Sequence, residues 1–470
     1  MDTFFHTERF KKILKQYEDL RDHAVSCYLD AEELTDIAEY YHNNGNTQAA
    51  AEAIDYALKI FPGASVPTAF KARTALLVDE DPQRARHILE QTADKSDLEY
   101  IYAYAEILIA EKKANQADLY LQQHLQDAVP YGSDRDNYIL DVAETFADYM
   151  ELELAEKWLR QVSDQQLPDY REIMARVQLQ RGNYEESEEI LNRLIDDNPF
   201  STTYWNQLAA SQLMHNHIAE AITSSEYSIA LNPDDEEAIL NKANGLFTLG
   251  NYEEAKKYYE RYQQLQPHNE SVALFLGLTL ANQNQPQQAI THMEQALTLS
   301  QQHDSPHIQL QALQELALLE GQLGHVEKAM AYLAQSTPID TDPAMTETLR
   351  GYVRLQNGQT QQAQAHFRKA IMDSQSSPHV LLHVAIAVYE NGYLPMAFKL
   401  FTLLMATADE EWDEGYAYYA RCCYELGHQE LFQEALRTAV SKNPEEARLV
   451  LADLYPPGTP PHQYPQTPLS

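Results

Sequence analysis

Two histidines one residue apart, His215 and His217, are the side chains in this sequence whose type and spacing best suit a metal ion. Imidazole nitrogens bind zinc, but a site also needs Cys, His or carboxylate partners at suitable spacing. The neighbouring sequence offers no such partner, and Asn216 between the two histidines indicates a turn. We therefore expect no metal site.

The sequence motifs of common enzyme classes do not occur in the chain. It contains no G-x-x-x-x-G-K-[ST], no G-x-G-x-x-G, no H-E-x-x-H and no G-x-S-x-G. Paired carboxylates are frequent, but among 71 Asp and Glu residues they indicate a solvated surface. The sequence predicts a protein that is not an enzyme and needs no cofactor.

The charge of the chain restricts its partners. Its 470 residues carry a formal net charge of −37, which repels phosphate backbones and anionic lipid head groups. No window of about 18 apolar residues is present, so we expect no membrane insertion. The charge disfavours nucleic acid and favours a protein or peptide partner with a basic or neutral segment.

The three cysteines, Cys27, Cys422 and Cys423, form no C-x-x-C pair. Adjacent residues on a helix point about 100° apart, so a bridge between Cys422 and Cys423 would be strained. We interpret these thiols as packing residues in a reduced compartment. The N-terminal residues also lack a signal-peptide pattern, and we expect a cytoplasmic protein.

Three kinds of position recur in the middle of the chain at intervals of 34 residues. A proline follows each repeat, a small alanine lies within it, and a glycine or asparagine marks its central turn. These residues are Pro199, Pro233 and Pro267; Ala221, Ala255 and Ala289; and Gly182, Asn216 and Gly250.

The residues of one unit predict two amphipathic helices joined by a turn. Apolar residues recur three and four apart on both sides of Asn216, and Gly or Asn at a helix end tolerates left-handed backbone angles. Proline then ends the second helix. A single hairpin of this kind cannot bury its apolar face, so the units must stack.

The unit resembles the tetratricopeptide repeat (TPR) family, which has a period of about 34 residues. Trp205, Leu208, Ala209, Ala221 and Pro233 match its pattern. The resemblance implies an all-α fold: an α-solenoid, wound as a right-handed superhelix, of about twelve TPR-like hairpins between residues 31 and 446.

We divide the chain by how well its units fit the repeat. An N-terminal helix that caps the solenoid is predicted over 1–30, and a short capping helix with an extended or disordered proline-rich tail over 447–470. The remaining segments are 31–167 with partly degenerate units, 168–303 with four contiguous well-formed units, and 304–446 with C-terminal units. About six extra residues precede the unit that contains Ala329.

The family resemblance further implies that the first helix of each hairpin lines a concave groove. The position of each residue within its repeat then identifies the residues that face the groove. The N-terminal part is acidic, the centre is lined by amides, and Thr74 takes the groove position in the second unit. The predicted partner-binding residues are Glu32, Glu39, Glu99, Tyr102, Glu106, Glu144, Arg176, Asn206, Asn241 and Asn244.

These features predict a scaffold or adaptor that holds a partner segment in the groove. Carboxylates there favour a basic segment, and Asn side chains suit an extended peptide backbone. One alternative is a regulatory sensor for a short peptide or small ligand, which needs a closed apolar pocket. Another is a non-catalytic subunit or assembly factor of an enzyme complex, with an exposed apolar patch such as the tyrosine-rich segment 415–427.

Overall fold

The computed structural model describes residues 2–5, 7–23, 28–43, 46–127, 133–409, 411–456 and 458–466. Over these ranges the backbone forms 27 α-helices and two short 3₁₀ helices, with no β-strand. None of these helices is long and apolar enough to cross a bilayer. The predicted all-α class is confirmed.

The helices form two compact units, Met1–Asn232 and Pro233–Ser470. Those of the first unit are α1 (Asp2–Phe5), α2 (Glu8–His23), α3 (Ala31–Asn43), α4 (Thr47–Ile60), α5 (Ser65–Leu77), α6 (Pro82–Leu89), α7 (Leu98–Ala110), α8 (Ala114–Asp127), α9 (Ser133–Asp148), α10 (Leu152–Leu159), α11 (Pro168–Arg181), α12 (Tyr184–Asp197), α13 (Thr202–Met214) and α14 (Ile218–Leu231).

The second unit contains the remaining helices. They are α15 (Glu236–Thr248), α16 (Tyr252–Leu265), α17 (Glu270–Asn282), α18 (Pro286–Gln302), α19 (Pro306–Gln322), α20 (Val326–Ser336), α21 (Pro343–Gln356), α22 (Thr360–Asp373), α23 (Pro378–Glu390), α24 (Leu394–Thr407), α25 (Tyr416–Glu425), α26 (Gln429–Lys442) and α27 (Pro444–Leu451).

From α3 to α26 each odd-numbered helix packs against the next even-numbered one. This gives six hairpins in each unit, and the prediction of about twelve is confirmed. The buried side chains follow helical spacing, as in α16, where Ala255, Tyr259 and Tyr262 face the core. The division of the repeats into the groups 31–167, 168–303 and 304–446 stays a prediction.

The turn inside each repeat has the left-handed backbone that the sequence indicated. Gly182 has φ 81°, Asn216 has φ 61° and Gly250 has φ 75°. Asn216 thus adopts the conformation that glycine adopts in the flanking repeats, which asparagine tolerates better than other side chains. Helix starts recur with the same period, since Ser201, Asp235 and Asn269 each accept a backbone N–H as N-caps.

Small side chains allow the two helices of a hairpin to approach closely. Ala221, Ala255 and Ala289 are fully buried. At Gly277 a Cβ atom would lie 2.8 Å from the Met293 side chain of the paired helix, closer than van der Waals contact permits. The recurring alanines are therefore packing positions.

The second and fourth hairpins depart from the repeat in their second helices. Helices α6 and α10 have eight residues each, whereas α12, α14 and α16 have 14. Irregular turns over 90–97 and 160–167 complete these two hairpins. The shortening explains why their sequences match the 34-residue pattern poorly.

The six extra residues of the C-terminal half lengthen two helices. Helices α18 and α19 contain 17 residues each, about three more than their counterparts. The insertion therefore adds nearly one turn to each helix and leaves the connection between them short.

The N-terminal segment contains two helices, so the prediction of one helix over 1–30 is wrong. Thr7 separates α1 from α2: its hydroxyl donates to the Phe4 carbonyl at 2.7 Å and accepts the Phe10 N–H at 3.2 Å. A threonine that caps α2 in this way competes with helix continuation. Phe10, Ile13 and Tyr17 of α2 are buried in one cluster with residues of α3 and α4.

The C-terminal tail is also more ordered than predicted. Residues 461–466 form a 3₁₀ helix, and Tyr464 stacks on Tyr455 with ring centroids 4.1 Å apart. Both rings are buried in a cluster with α26 and α27. Proline fixes φ near the value of a 3₁₀ helix. A proline-rich segment with a buried aromatic anchor therefore folds back instead of extending.

Replacement of Asn216 tests the turn. Alanine in the left-handed region costs about 1 kcal/mol, so Asn216→Ala lowers the free energy of unfolding by that amount, whereas Asn216→Gly leaves it within about 0.5 kcal/mol of wild type. Denaturant unfolding monitored by circular dichroism measures both. Equal stability of the alanine and glycine variants would show that the turn does not require this backbone.

Candidate functional site

The first helices of the first five hairpins form a continuous layer. Helices α3, α5, α7, α9 and α11 contact one another in series, more closely than the second helices of the same hairpins do. This layer is therefore the inner side of the stack of hairpins. Side chains at equivalent helical positions on successive hairpins line up across it.

Carboxyl groups dominate one surface of this layer, which we call the acidic face. Ten carboxyl groups lie there with two guanidinium groups, and electrostatic contacts link each group to its neighbours. The acidic face comprises Glu32, Asp36, Glu39, Glu99, Glu106, Asp141, Glu144, Asp148, Asp169 and Glu172, together with Arg73 and Arg176.

Arg73 joins two of the predicted groove residues. Its Nε lies 3.0 Å from both carboxylate oxygens of Glu106, and Nη1 lies 2.9 Å from Glu99 Oε2. Glu106 is only 9% exposed. Arg73 therefore neutralises part of the negative charge that we expected to bind a partner. Glu99 and Glu106 form an internal ion-pair network with Arg73 and are also part of the surface.

In the second hairpin the register assigns the groove position to Thr74, and this assignment stays a prediction. The Thr74 hydroxyl donates to the Phe70 carbonyl of its own helix at 3.0 Å, while the adjacent Arg73 reaches the acidic face. The signal for Arg73 is present in the sequence: it follows the buried Ala72, just as Glu106 follows the buried Ala105. By this comparison Arg73 corresponds to Glu106 in position.

Arg176 forms the second positive point of the acidic face. Its guanidinium lies 3.0 Å from Asp148 Oδ1 and 3.5 Å from Glu144 Oε1. A cleft of about 430 Å³ opens beside it between α9, α11 and α13. The cleft is lined by Asn137, Leu140, Asp141, Glu144, Asp169, Glu172, Ile173, Arg176 and Gln207.

The cleft has four carboxylates and one guanidinium. Gln207 donates an amide hydrogen bond to Glu172 at 3.1 Å, and Tyr102 donates its hydroxyl hydrogen to Asp141 at 2.9 Å. These neutral donors hold the carboxylates in place without cancelling their charge. The cleft is thus a preformed negative surface, and burial raises the pKa of the Tyr102 hydroxyl so that it remains a donor.

Several carboxyl groups of the acidic face are harder to ionise than usual. Partial burial raises the pKa of Asp36, with the charges of Glu32 and Asp30 adding to it. Burial and the charge of Asp36 likewise raise the pKa of Glu39, although Arg73 opposes them. The pKa of Glu144 rises through burial, and Arg176 only partly offsets this. Arg73 and Arg176 therefore do not balance the negative charge of the acidic face.

The three predicted amide residues are divided between the two units. Asn206 lies on α13 of the first unit and is 4% exposed. Asn241 and Asn244 lie on α15 of the second unit, and the Asn244 Oδ1 atom accepts the Tyr259 hydroxyl at 2.8 Å. Asn244 therefore accepts a hydrogen bond inside its own hairpin, and its role toward a peptide stays a prediction.

The tyrosine-rich segment serves the core of the second unit. Ala417, Ala420, Cys422 and Cys423 are fully buried, and Tyr418 and Tyr419 are partly buried against neighbouring helices. Burial raises the pKa of Cys422 to about 12 and that of Cys423 to about 11, so both thiols stay protonated. The two cysteines are packing residues, as predicted; Cys27 lies outside the described residues.

An apolar cleft of about 330 Å³ is found in the second unit, lined chiefly by α22, α23 and α24. Phe367, Ile371, Val384, Val388 and Met396 contribute to its wall. The sensor hypothesis expected such a pocket in the groove, on the first helices. This cleft instead opens largely between the second helices α22 and α24.

The pH dependence of stability tests the raised pKa values. A carboxyl with a raised folded-state pKa takes up its proton in the folded protein first, so folding gains stability as pH falls from 7.5 through that pKa. The variant Asp141→Asn/Glu144→Gln mimics the protonated state. We expect it to be more stable than wild type at pH 7.5, by less than about 1 kcal/mol because solvent screens these half-exposed groups.

This difference in unfolding free energy should narrow as the pH falls toward the raised pKa values of Asp141 and Glu144. Measurement of the difference between two proteins cancels the contributions of all other titrating groups. A difference that stays constant over this range would show that Asp141 and Glu144 have ordinary pKa values.

Two family models match the middle of the chain. One, described as a tetratricopeptide repeat, matches residues 174–236. The other, described as anaphase-promoting complex, cyclosome, subunit 3, matches residues 214–296. The two matches overlap in the well-formed repeats. No curated protein matches the chain.

Solved structures resemble parts or most of the chain at low sequence identity. MamA from Desulfovibrio magneticus RS-1 is 17% identical with a TM-score of 0.34, over 37% of this chain and 94% of its own. A tetratricopeptide repeat protein from Parabacteroides merdae ATCC 43184 is 14% identical with a TM-score of 0.45, over 57% and 98%. The Cut9–Hcn1 hetero-tetramer of the APC/C is 14% identical with a TM-score of 0.35, over 96% and 97%.

Proposed function

We propose that this chain, whose residues 174–236 match a tetratricopeptide repeat model, is a non-enzymatic scaffold or adaptor that holds a basic segment of a partner protein against the acidic face. The observation that carries the proposal is the composition of the acidic face. It has ten carboxyl groups and two guanidinium groups on adjoining first helices. The coarser part, a protein-interaction scaffold, is the function typical of the family.

The chemistry of the acidic face suits lysine and arginine side chains. Hydrogen bonds between carboxylates and cationic donors are about twice as strong as neutral ones. Arg73 and Arg176 already show the arrangement that such donors adopt, since each binds two carboxylates on different turns of one neighbouring first helix. A basic segment along α7, α9 and α11 would repeat these interactions at the remaining carboxylates.

The cleft beside Arg176 is the best-defined part of this surface. Four carboxylates enclose it, and Leu140 and Ile173 provide an apolar floor for the methylene groups of a long cationic side chain. Negative potential in a concave site also raises the rate at which a basic partner associates. Nucleic acids and anionic membranes would be repelled by the same surface.

Binding of a lysine-rich peptide tests the proposal. We expect Asp141→Asn/Glu144→Gln/Asp169→Asn to weaken binding at least about tenfold, because each ion pair between a carboxylate and a peptide cation contributes up to about 1 kcal/mol. Fluorescence anisotropy with a labelled peptide at two salt concentrations measures the effect. Glu99 and Glu106 are left unchanged, because their removal would leave the Arg73 charge unpaired.

The matched control removes three carboxylates elsewhere. Glu185, Glu186 and Glu220 are exposed on the second helices α12 and α14 of the same unit. The variant Glu185→Gln/Glu186→Gln/Glu220→Gln changes the net charge equally and should bind within about twofold of wild type. An equal loss of affinity in both variants would mean that the peptide senses only the overall charge.

A second candidate function is a regulatory sensor for a short apolar peptide or small ligand. The apolar cleft at α22, α23 and α24 favours it. A screen of apolar compounds by thermal shift, with wild type and Met396→Gln compared, tests this candidate: Met396 lines the cleft and is 45% exposed. The subunit alternative has weaker support, since the tyrosines of its predicted patch are partly buried.

We also propose a cytoplasmic location. Cys422 and Cys423 are free thiols within the hydrophobic core of the second unit, as expected of a protein that folds in a reducing compartment. Fractionation of cells with detection of the untagged protein tests the location.

A further inference from the structure

A carboxylate that the local sequence does not supply lies against the two neighbouring histidines. Glu188 Oε1 is 2.8 Å from His215 Nδ1 and 3.4 Å from His217 Nδ1. The ligand atoms of the three side chains all lie within 4.8 Å of one another. We propose that Glu188, His215 and His217 bind a divalent transition-metal ion, with Zn²⁺ as the reference ion.

The fold brings these residues together from successive hairpins. Glu188 lies on α12, the second helix of the fifth hairpin, and the histidines flank the turn of the sixth. His215 ends α13 and His217 precedes α14, with the left-handed Asn216 between them. Backbone hydrogen bonds from His215 to Ser211 (2.9 Å) and from His217 to Gln212 (2.8 Å) fix the turn.

The two separations between Glu188 and the histidines are close to those of tetrahedral coordination. Zinc lies about 2.0–2.2 Å from nitrogen and oxygen ligands, so ligand atoms of one tetrahedron are about 3.3 Å apart. The separation of 3.4 Å between Glu188 and His217 already has this value. The contact of 2.8 Å between Glu188 and His215 would lengthen by about half an ångström as the metal replaces the hydrogen bond.

Neighbouring side chains partly bury Glu188 and His215, whereas His217 is open to solvent. The side chain of Glu188 is 16% exposed and that of His215 is 30% exposed. The Tyr184 ring packs against His215 with centroids 5.6 Å apart. His217 is 45% exposed, so water has access to complete a four-coordinate site.

Two other His–Glu pairs among the described residues differ from this cluster in the second group that the carboxylate binds. His303 Nδ1 lies 2.8 Å from Glu270, whose other oxygen accepts the Ser305 hydroxyl at 2.8 Å. Glu320 binds His325 and also Lys328. A hydroxyl or an ammonium group thus takes the second place in those pairs, whereas at Glu188 a second imidazole takes it. Two imidazoles and a carboxylate are a recognised ligand set for zinc.

The inference is independent of the proposed function. Glu188 belongs to a second helix, and the metal would join α12 to the turn between α13 and α14 rather than occupy the acidic face. Because the ligands come from two hairpins, bound metal would stabilise their stacking.

Titration of the metal-free full-length protein with Zn²⁺ at pH 7.5 tests the site. Isothermal calorimetry should give one tight site per chain in wild type, and Co²⁺ should give the visible absorption of a tetrahedral complex. We expect Glu188→Gln and His217→Asn each to weaken this site at least about tenfold. Zn²⁺ should raise the melting temperature of wild type more than that of either variant.

The control variant is His303→Asn. It removes a histidine that also contacts a glutamate, Glu270, and leaves the proposed site unchanged. It should bind Zn²⁺ as wild type does. Far-UV circular dichroism verifies that each variant is folded, which is expected for the isosteric Glu188→Gln and the half-exposed His217. The proposal is overturned if wild type shows no tight site, or if all three variants bind Zn²⁺ equally.

Discussion

The close approach of paired helices at small side chains is the constraint on which each unit depends. No hairpin can bury its own apolar face, so stability comes from stacking, and stacking requires residues such as Ala221, Ala255 and Gly277 at the contact. Because that contact recurs in each repeat, the remaining positions of the repeat recur at the same interval. These positions include the surface side chains that line up on successive hairpins, the turns and the helix caps.

The acidic face is a consequence of this regularity. A carboxylate at one helical position lies beside the equivalent carboxylate of the next hairpin, so charge accumulates along the layer of first helices. Arg73 and Arg176 interrupt the row, and each holds two carboxylates on different turns of the neighbouring first helix. They stabilise the layer without balancing its charge, because partial burial and like charges still raise the pKa of Asp36 and Glu39.

The sequence predicts the regular parts of the structure well and the irregular parts poorly. The spacing of Pro, Ala and Gly was sufficient for the helices, the turn at Asn216 and the number of hairpins, because each reports a local backbone requirement. Arg73 was missed because α6 is short and its unit lacks a clear register. Glu188 was missed because it lies 27 residues before His215 and meets it only through stacking. The order of the tail depends on one tertiary contact of Tyr464.

An acidic groove in an acidic protein could arise from composition alone, and the burial of its carboxylates argues against this. Exposed positions on the second helices accommodate acids such as Glu185 and Glu186 at little cost. Glu106, by contrast, is 9% exposed, and its carboxylate is paired with the Arg73 guanidinium at 3.0 Å. Residues placed by composition alone would avoid such positions, since burial of a charge destabilises the fold unless it is paired. The proposed binding surface thus contains a buried charge that destabilises the fold unless it is paired, and such local conflict with stability is the pattern expected of a functional site.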